Sequence, residues 1–381
     1  MDIIEYRKDI FSRVKRVVIK IGSSVLTSGG EELDPDVFRD LARSIAGLKE
    51  DGYEVVIVSS GAIAAGRKNL GCVDKPRSIP QKQAAAAIGQ ARLMWNYEEC
   101  FNKHNQKTAQ VLLAHDDLSD RRRFLNARNT LFTLFQCGII PVINENDSVV
   151  VDEIKFGDND ILSALVTNLV DAELLLILTD RDGLFEKDPK RHKNAQLIKV
   201  VKKINSDIEK LAKGTTSKVG TGGMVSKVDA AKKACIFGIP TVIVNGKTKG
   251  IITEVFKGKE TGTLFMPEKS KLSSRKHWIA FNLKPKGTLV VDEGAKRAVI
   301  EGGKSLLPSG LVEVKGYFNF GDAVKCVDTA GLEFARGLVN YKSEEVVRLK
   351  GVHSREIEKI VGYKYYDEII HRDDLVVLTT S

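Results

Sequence analysis

Glu54-Val55-Val56-Ile57-Val58 runs directly into Ser59-Ser60-Gly61-Ala62-Ile63-Ala64-Ala65-Gly66. The first five residues have the apolar, β-branched texture of a strand buried on both faces, and the rest is a small-residue turn opening a helix. Strand, short turn and helix in that order make one βα unit. In open parallel sheets such units place ligands at the carboxyl ends of the strands, and small side chains there leave them room.

The alternation recurs on both sides. Upstream, Arg16-Val17-Val18-Ile19-Lys20 reads as a strand, and Asp34-Pro35 supplies an N-cap and a first-position proline for a helix carrying Val37, Leu41, Ile45 and Leu48. Downstream, helices are expected over 81–101, 124–137, 161–169 and 224–237, and strands over 109–113, 139–143, 174–178 and 241–244. The pattern predicts an α/β fold with a mainly parallel sheet covered by helices on both faces. Near Leu264 to Arg275 it stops, in a polar segment that reads as a linker. From Gly287, short strands (311–314, 323–327, 374–378), brief helices (294–301, 343–349) and glycine turns predict a small, mostly β module. The expected division is 1–265, a linker over 266–285, and 286–381.

A chain of 381 residues with 43% hydrophobic and 29% charged content has core enough for two domains. Its first sixteen residues are too charged for a secretory signal and its apolar runs too short to span a bilayer, so a cytoplasmic protein is expected. Cys72, Cys100, Cys137, Cys235 and Cys326 are scattered without C-x-x-C spacing, which argues against a disulfide framework or a zinc site. The net charge of +9 is unevenly placed. Residues 286–381 hold 14 Lys and Arg against 15 Asp and Glu, leaving 45 against 35 for residues 1–285. The basic excess therefore lies in the α/β part, where an anionic substrate is its simplest partner.

Two stretches suit phosphate. Lys20 ends an apolar strand and precedes Gly22-Ser23-Ser24. A lysine buried there is costly unless an anion meets it, the alternative being an edge strand from which it snorkels to water. Lys218-Val219-Gly220-Thr221-Gly222-Gly223-Met224-Val225-Ser226-Lys227 is a glycine-rich turn running into a helix, either a phosphate cradle or a flexible connection. Neither stretch has the spacing of a P-loop or of a dinucleotide-binding fingerprint. Asn144-Glu145-Asn146-Asp147 follows one strand and Gly157-Asp158-Asn159-Asp160 opens one helix. A single aspartate there could be a cap, whereas the whole set facing two lysines reads as functional. Two ammonium groups 4 Å apart repel by about 4 kcal/mol at an effective dielectric near 20, and an aspartate between them offsets this. Asp160 is the candidate. Thr179-Asp180 ends another strand as a nucleotide-facing loop or a plain turn.

With these residues in place, the chain resembles the glutamate 5-kinases of the amino acid kinase family over essentially its whole length. The resemblance is carried by Val18-Ile19-Lys20-Ile21-Gly22-Ser23-Ser24, Ser59 to Gly66, Arg123-Phe124-Leu125-Asn126-Ala127-Arg128, Ile143 to Asp147, Gly157 to Asp160 and Gly220 to Met224. Val291-Asp292-Glu293-Gly294-Ala295, Ser305-Leu306-Leu307-Pro308 and His371-Arg372-Asp373-Asp374 resemble a PUA domain. The family reads Thr-Ser-Gly where this chain has Ser59-Ser60-Gly61, a change that keeps a hydroxyl. The resemblance implies an ATP-dependent carboxylate phosphotransferase acting on L-glutamate with Mg2+, the first step of proline biosynthesis. It implies that Lys20 and Lys227 contact the transferring phosphoryl group, that Thr179, Asp180, Thr221, Gly222, Gly223, Met224, Val225 and Ser226 hold ATP, and that Ser60, Asp147 and Asn159 bind glutamate with Gly61, Ala62 and Asn144. It also implies a dimer or tetramer and feedback inhibition by proline. No residue is assigned to the metal. Two other functions compete: RNA binding or modification through the PUA-like module, whose net charge of −1 argues against it, and acetylglutamate kinase.

Overall fold

The computed structural model describes residues 3–28, 32–67, 69, 78–147, 159–189, 191–213, 223–268, 283–364 and 366–378. The chain divides into two compact units, Met1–Ser119 with Ala127–Lys269 and Asp120–Asn126 with Ser270–Ser381.

Along the first part run α1 (Ile3–Arg13), β1 (Arg16–Ile21), α2 (Ser23–Leu26), β2 (Thr27–Ser28), β3 (Glu32–Leu33), α3 (Pro35–Glu50), β4 (Glu54–Ser59), α4 (Ala62–Arg67), α5 (Ile79–Asn102), β5 (Thr108–Leu113), α6 (His115–Ser119), α7 (Arg121–Gln136) and β6 (Ile140–Glu145). There follow α8 (Asn159–Leu169), β7 (Leu174–Thr179), β8 (Val200–Val201), α9 (Ser206–Lys213), α10 (Met224–Ile236), β9 (Thr241–Asn245), α11 (Ile251–Phe256) and β10 (Thr263–Phe265). The eight-stranded sheet has the order β5-β6-β4-β1-β7-β9-β10-β8. Among its strand pairs only β10 with β9 is antiparallel.

Local chemistry explains the helix starts. Asp34 accepts from the Asp36 backbone N–H ahead of a first-turn proline in α3, and Ser78 with Gln81 forms a capping box on α5. Strand alternation sorts β1 between two faces. Val17, Ile19 and Ile21 join a core with Phe38, Leu41 and Ile45 of α3 and with Leu93, Tyr97 and Phe101 of α5. Val18 and Lys20 therefore point to the opposite face, and α8 packs on β1 and α10 on α8.

Two elements are not expected from the sequence. The α/β pattern stops near Leu264 in the sequence, but Leu264 and Phe265 are fully buried in β10, paired with β9 and β8, and the sheet runs to Phe265. Three residues are too short a run to signal a strand without their partners. The charged N-terminal segment carries an unexpected helix, α1, anchored by Arg7. Its buried guanidinium donates to the carbonyls of Lys259 and Thr261, each at 2.9 Å. The expected linker residues 269–282 lie outside the described residues, as do Cys72 and the run from Val149 to Asp158.

The second unit contains β11 (Gly287–Val291), α12 (Glu293–Ile300), β12 (Leu311–Gly316), β13 (Ala323–Val327), β14 (Glu333–Leu338), α13 (Ser343–Leu349), α14 (Ile357–Val361) and β15 (Leu375–Val377). Its five strands form one sheet in the order β12-β11-β13-β14-β15. Leu289, Val291, Phe318, Val324, Tyr341 and Ile357 lie in its own core. This is the mostly β module that the glycine-punctuated sequence predicts, with β11 and β14 added.

Candidate active site

The carboxyl ends of five parallel strands, β6, β4, β1, β7 and β9, carry the polar residues that the sequence singles out. Lys20 lies opposite Val58 on one side and Ile177 on the other, so its strand is central. Snorkelling from an edge is therefore excluded, and the side chain is buried. Its Nζ lies 2.6 Å from Oδ1 of Asp160. Lys227, on the second turn of α10, places its Nζ 3.0 Å from the other carboxylate oxygen. Asp160 sits inside the first turn of α8 and is fully buried. Burial alone would raise its carboxyl, but the charges and hydrogen bonds of Lys20 and Lys227 outweigh this and hold it well below the usual carboxylate range.

These three side chains carry a net charge of +1 at the strand ends. Such an arrangement keeps two ammonium groups together and still favours an anion. Beside them, α10 begins at Gly223, which offers no side-chain cap to the first turn. A helix N-terminus of this kind binds phosphate oxygens through backbone N–H groups. Gly223 has φ −71° and ψ −177°, extended backbone open to any residue, and an added Cβ would meet nothing within 4 Å. Neither strain nor packing within the described chain demands glycine there. Thr221 and Gly222 of the same turn lie outside the described residues. Ser226 departs from its expected company: its Oγ is 2.8 Å from Asp160 Oδ2 and 2.8 Å from the Gly223 carbonyl, and its one proton serves either acceptor. Met224 is buried and Val225 exposed.

A second group adjoins the first through neighbouring residues of α8. Asn159 donates from Nδ2 to Ser60 Oγ at 3.1 Å and to Asn144 Oδ1 at 3.0 Å. Asn144 ends β6 one residue before its last and donates in turn to Gln90 Oε1 on α5 at 2.8 Å. Ser60 follows β4 and is tied to β1 by its backbone N–H, 3.1 Å from the Ile21 carbonyl. Gly61 has φ +106°, a conformation that only glycine adopts without strain, and it turns the chain into α4 at Ala62. Asp147, two residues beyond β6, is raised to about 6 by burial. The structure thus brings Ser60, Asn144 and Asn159 into one hydrogen-bonded set with Gln90, a residue that sequence reasoning missed. Its only advance signal is a polar side chain on the apolar stripe of a helix.

Thr179 and Asp180 lie at the end of β7, where Thr179 Oγ1 donates to Asp180 Oδ1 at 3.2 Å. Asn245 stands beside Thr179 in the register with β9 and donates to Asp182 Oδ1 at 2.9 Å. Among the described residues no three His, Cys, Asp or Glu side chains converge as a metal cage, and Asp160 is committed to two ammonium groups. No described helix is long and apolar enough to cross a membrane.

Comparison with known proteins agrees with this geometry. The model of the amino acid kinase family matches residues 15–245, and that of the PUA domain matches residues 287–361. A protein of Geobacter sulfurreducens named glutamate 5-kinase is 57% identical over 372 residues, 98% of this chain and all of that one. One of the same name from Caldanaerobacter subterraneus is 53% identical over 363 residues, 95% of this chain and 98% of its own. The solved carbamate kinase of Giardia lamblia covers 68% of this chain and 100% of its own, at 19% identity and a TM-score of 0.49. On the two family models and the near-full-length relatives, the chain belongs to the amino acid kinase family, among the glutamate 5-kinases, with a C-terminal PUA domain.

Proposed function

We propose that this protein transfers the γ-phosphate of ATP to the side-chain carboxylate of L-glutamate, giving γ-glutamyl phosphate and ADP, the first step of proline biosynthesis. The observation that carries the reading is the buried Lys20–Asp160–Lys227 bridge at the carboxyl edge of the sheet. A carboxylate nucleophile with a reference pKa of about 4.3 is already ionised at neutral pH, so the reaction needs no general base. What it needs is alignment of two anions and neutralisation of charge spread over the phosphoryl oxygens, work suited to lysines and backbone N–H groups.

In this reading Lys20 and Lys227 meet the transferring phosphoryl group while Asp160 offsets their mutual repulsion and holds both in place. The turn through Thr221, Gly222, Gly223, Met224, Val225 and Ser226, with Thr179 and Asp180, holds ATP. Ser60, Gly61, Ala62, Asn144, Asp147 and Asn159 hold glutamate, the carboxylate of Asp147 meeting the α-ammonium group. Bound with ATP, Mg2+ would supply further neutralisation of the phosphate charge. We assign it no side chain. The reading extends to a catalytic domain over 1–265, a linker over 266–285 and a PUA-like domain over 286–381, and to a cytoplasmic homo-oligomer, dimer or tetramer, inhibited by proline.

The test is to trap acyl phosphate with hydroxylamine, using glutamate, N-acetylglutamate and aspartate in parallel with ATP and Mg2+. Glutamate alone should give hydroxamate at a high rate. Acetylation removes the positive charge that Asp147 requires, so equal turnover of acetylglutamate would overturn both the substrate and the role of Asp147.

A further inference from the structure

Gln90 lies 9% exposed on α5, and the proposed reaction gives it no task. Its Oε1 accepts from Asn144 Nδ2, while Asn144 Oδ1 accepts both from the Glu145 backbone N–H at 2.9 Å and from Asn159 Nδ2. One backbone group fixes the polarity of this whole file of amides. A peptide N–H only donates, so the Asn144 atom that faces it is the oxygen. The other end of Asn144 is then its NH2, which requires an acceptor from Gln90. The atom of Asn159 that faces the Asn144 oxygen is likewise its NH2, which leaves Asn159 Oδ1 at the end of the file. That oxygen is buried and has no hydrogen-bond partner among the described residues. A buried acceptor without a donor is costly, and an ammonium N–H is the partner that suits it best.

We infer that Gln90 is a positioning residue of the amino-acid site: by accepting from Asn144 it holds the amide file in the sense that offers the carbonyl oxygen of Asn159 to the α-ammonium group of the substrate. The inference rests on the proposed reading of the site as one for glutamate. Without an acceptor at position 90, the Asn144 NH2 is left unpaired; the Glu145 N–H still bars Asn144 from turning over, so its side chain loses its anchor and with it the hold on Asn159, whose carbonyl oxygen is no longer kept on the ammonium. Discrimination is thereby lost at an atom that Gln90 does not touch.

The experiment compares glutamate with glutarate, the same dicarboxylate without the ammonium group, measured as KM for the first and as competitive inhibition constant for the second. Wild-type protein should favour glutamate by at least about tenfold. Gln90→Met should raise the KM for glutamate about tenfold while kcat, the KM for ATP and the glutarate constant stay within about threefold. Gln90→Glu, which keeps an oxygen facing Asn144, should restore the preference for glutamate to within about threefold of wild type. A purely structural role would weaken glutamate and glutarate alike, so an unchanged ratio in Gln90→Met overturns the inference, as does loss of the ratio in a folded Gln90→Glu. If Gln90→Met does not fold, Gln90→Leu takes its place with the same ratio as readout, because Asp147 alone already gives the wild type a preference for glutamate. Absence of glutamyl phosphate formation by the wild type would instead strike the proposed reaction itself.

Discussion

Lys20 and Asp160 meet at 2.6 Å although 139 residues separate them in the chain, one from a central strand and the other from the first turn of a helix on the face toward which that lysine points. Lys227 closes the bridge from the other side, at 3.0 Å. Lys20→Ala or Lys227→Ala should lower kcat by about 10²- to 10³-fold, with little change in the KM for glutamate, because each ammonium meets charge that develops in the transition state. Asp160→Ala should also destabilise the fold, since stripping one partner from a buried ion pair costs about 3–5 kcal/mol. Steady-state kinetics and thermal unfolding of the three variants check this, and a folded lysine variant with wild-type kcat would remove that lysine from the reaction.

The carboxyl of Asp147, raised to about 6 by burial, gives a pH dependence with a definite sign. The ammonium group of glutamate needs the charged form, which is lost as pH falls through about 6. kcat/KM for glutamate should therefore drop between pH 7 and 5, following an ionisation near 6 in the free enzyme. Asp147→Asn should flatten that limb and raise the KM at every pH. For stability the sign is reversed: a raised carboxyl pKa contributes most below the unfolded value near 4 and is lost as pH rises through 6. Asp147→Asn should accordingly unfold no more readily than wild type at pH 7.5, which a melting curve tests.

Gly223 separates structural from ligand-driven demand for glycine. Its backbone is extended and a Cβ would meet nothing within 4 Å. Gly223→Ala should leave the melting temperature within about 2 °C of wild type while raising the KM for ATP. Gly61→Ala, at φ +106°, should lose stability by about 1 kcal/mol or more. An unaltered KM for ATP in Gly223→Ala would argue that the turn does not approach the nucleotide.

A chain ending near Ser270 should still fold and make glutamyl phosphate. The proposed catalytic and substrate residues all precede Leu264, and the eight-stranded sheet is complete at Phe265. Hydroxamate formation by the purified truncation is the measurement. A folded truncation without activity would show that the second unit contributes to the site.

The sequence by itself determined the α/β alternation, the mostly β module and the identity of both lysines. Those signals are local: apolar runs, small-residue turns and caps such as Asp34 and Ser78 act within a few residues of where they are written. Tertiary structure decided the rest. Four carboxylates, Glu145, Asp147, Asp158 and Asp160, stand in the two polar clusters. That Asp160 bridges the lysines follows from the face of β1 on which Lys20 lies and from the packing of α8 over it. Gln90 becomes part of the site only because α5 approaches α4 backbone to backbone. A β-carbon on Gly66 would fall 1.9 Å from the Ala85 carbonyl oxygen, and one on Gly89 would fall 1.8 Å from that of Ala62. Neither glycine is needed for a turn, and no periodicity announces that the two face each other. Strand β10 is invisible for the same reason, because three apolar residues acquire meaning only beside β9. Periodicity records which side of an element is apolar, whereas the partner that covers that side is chosen by contacts between residues far apart in the chain, and in this protein those contacts assemble the amide file from Gln90 to Ser60 and the lysine bridge beside it.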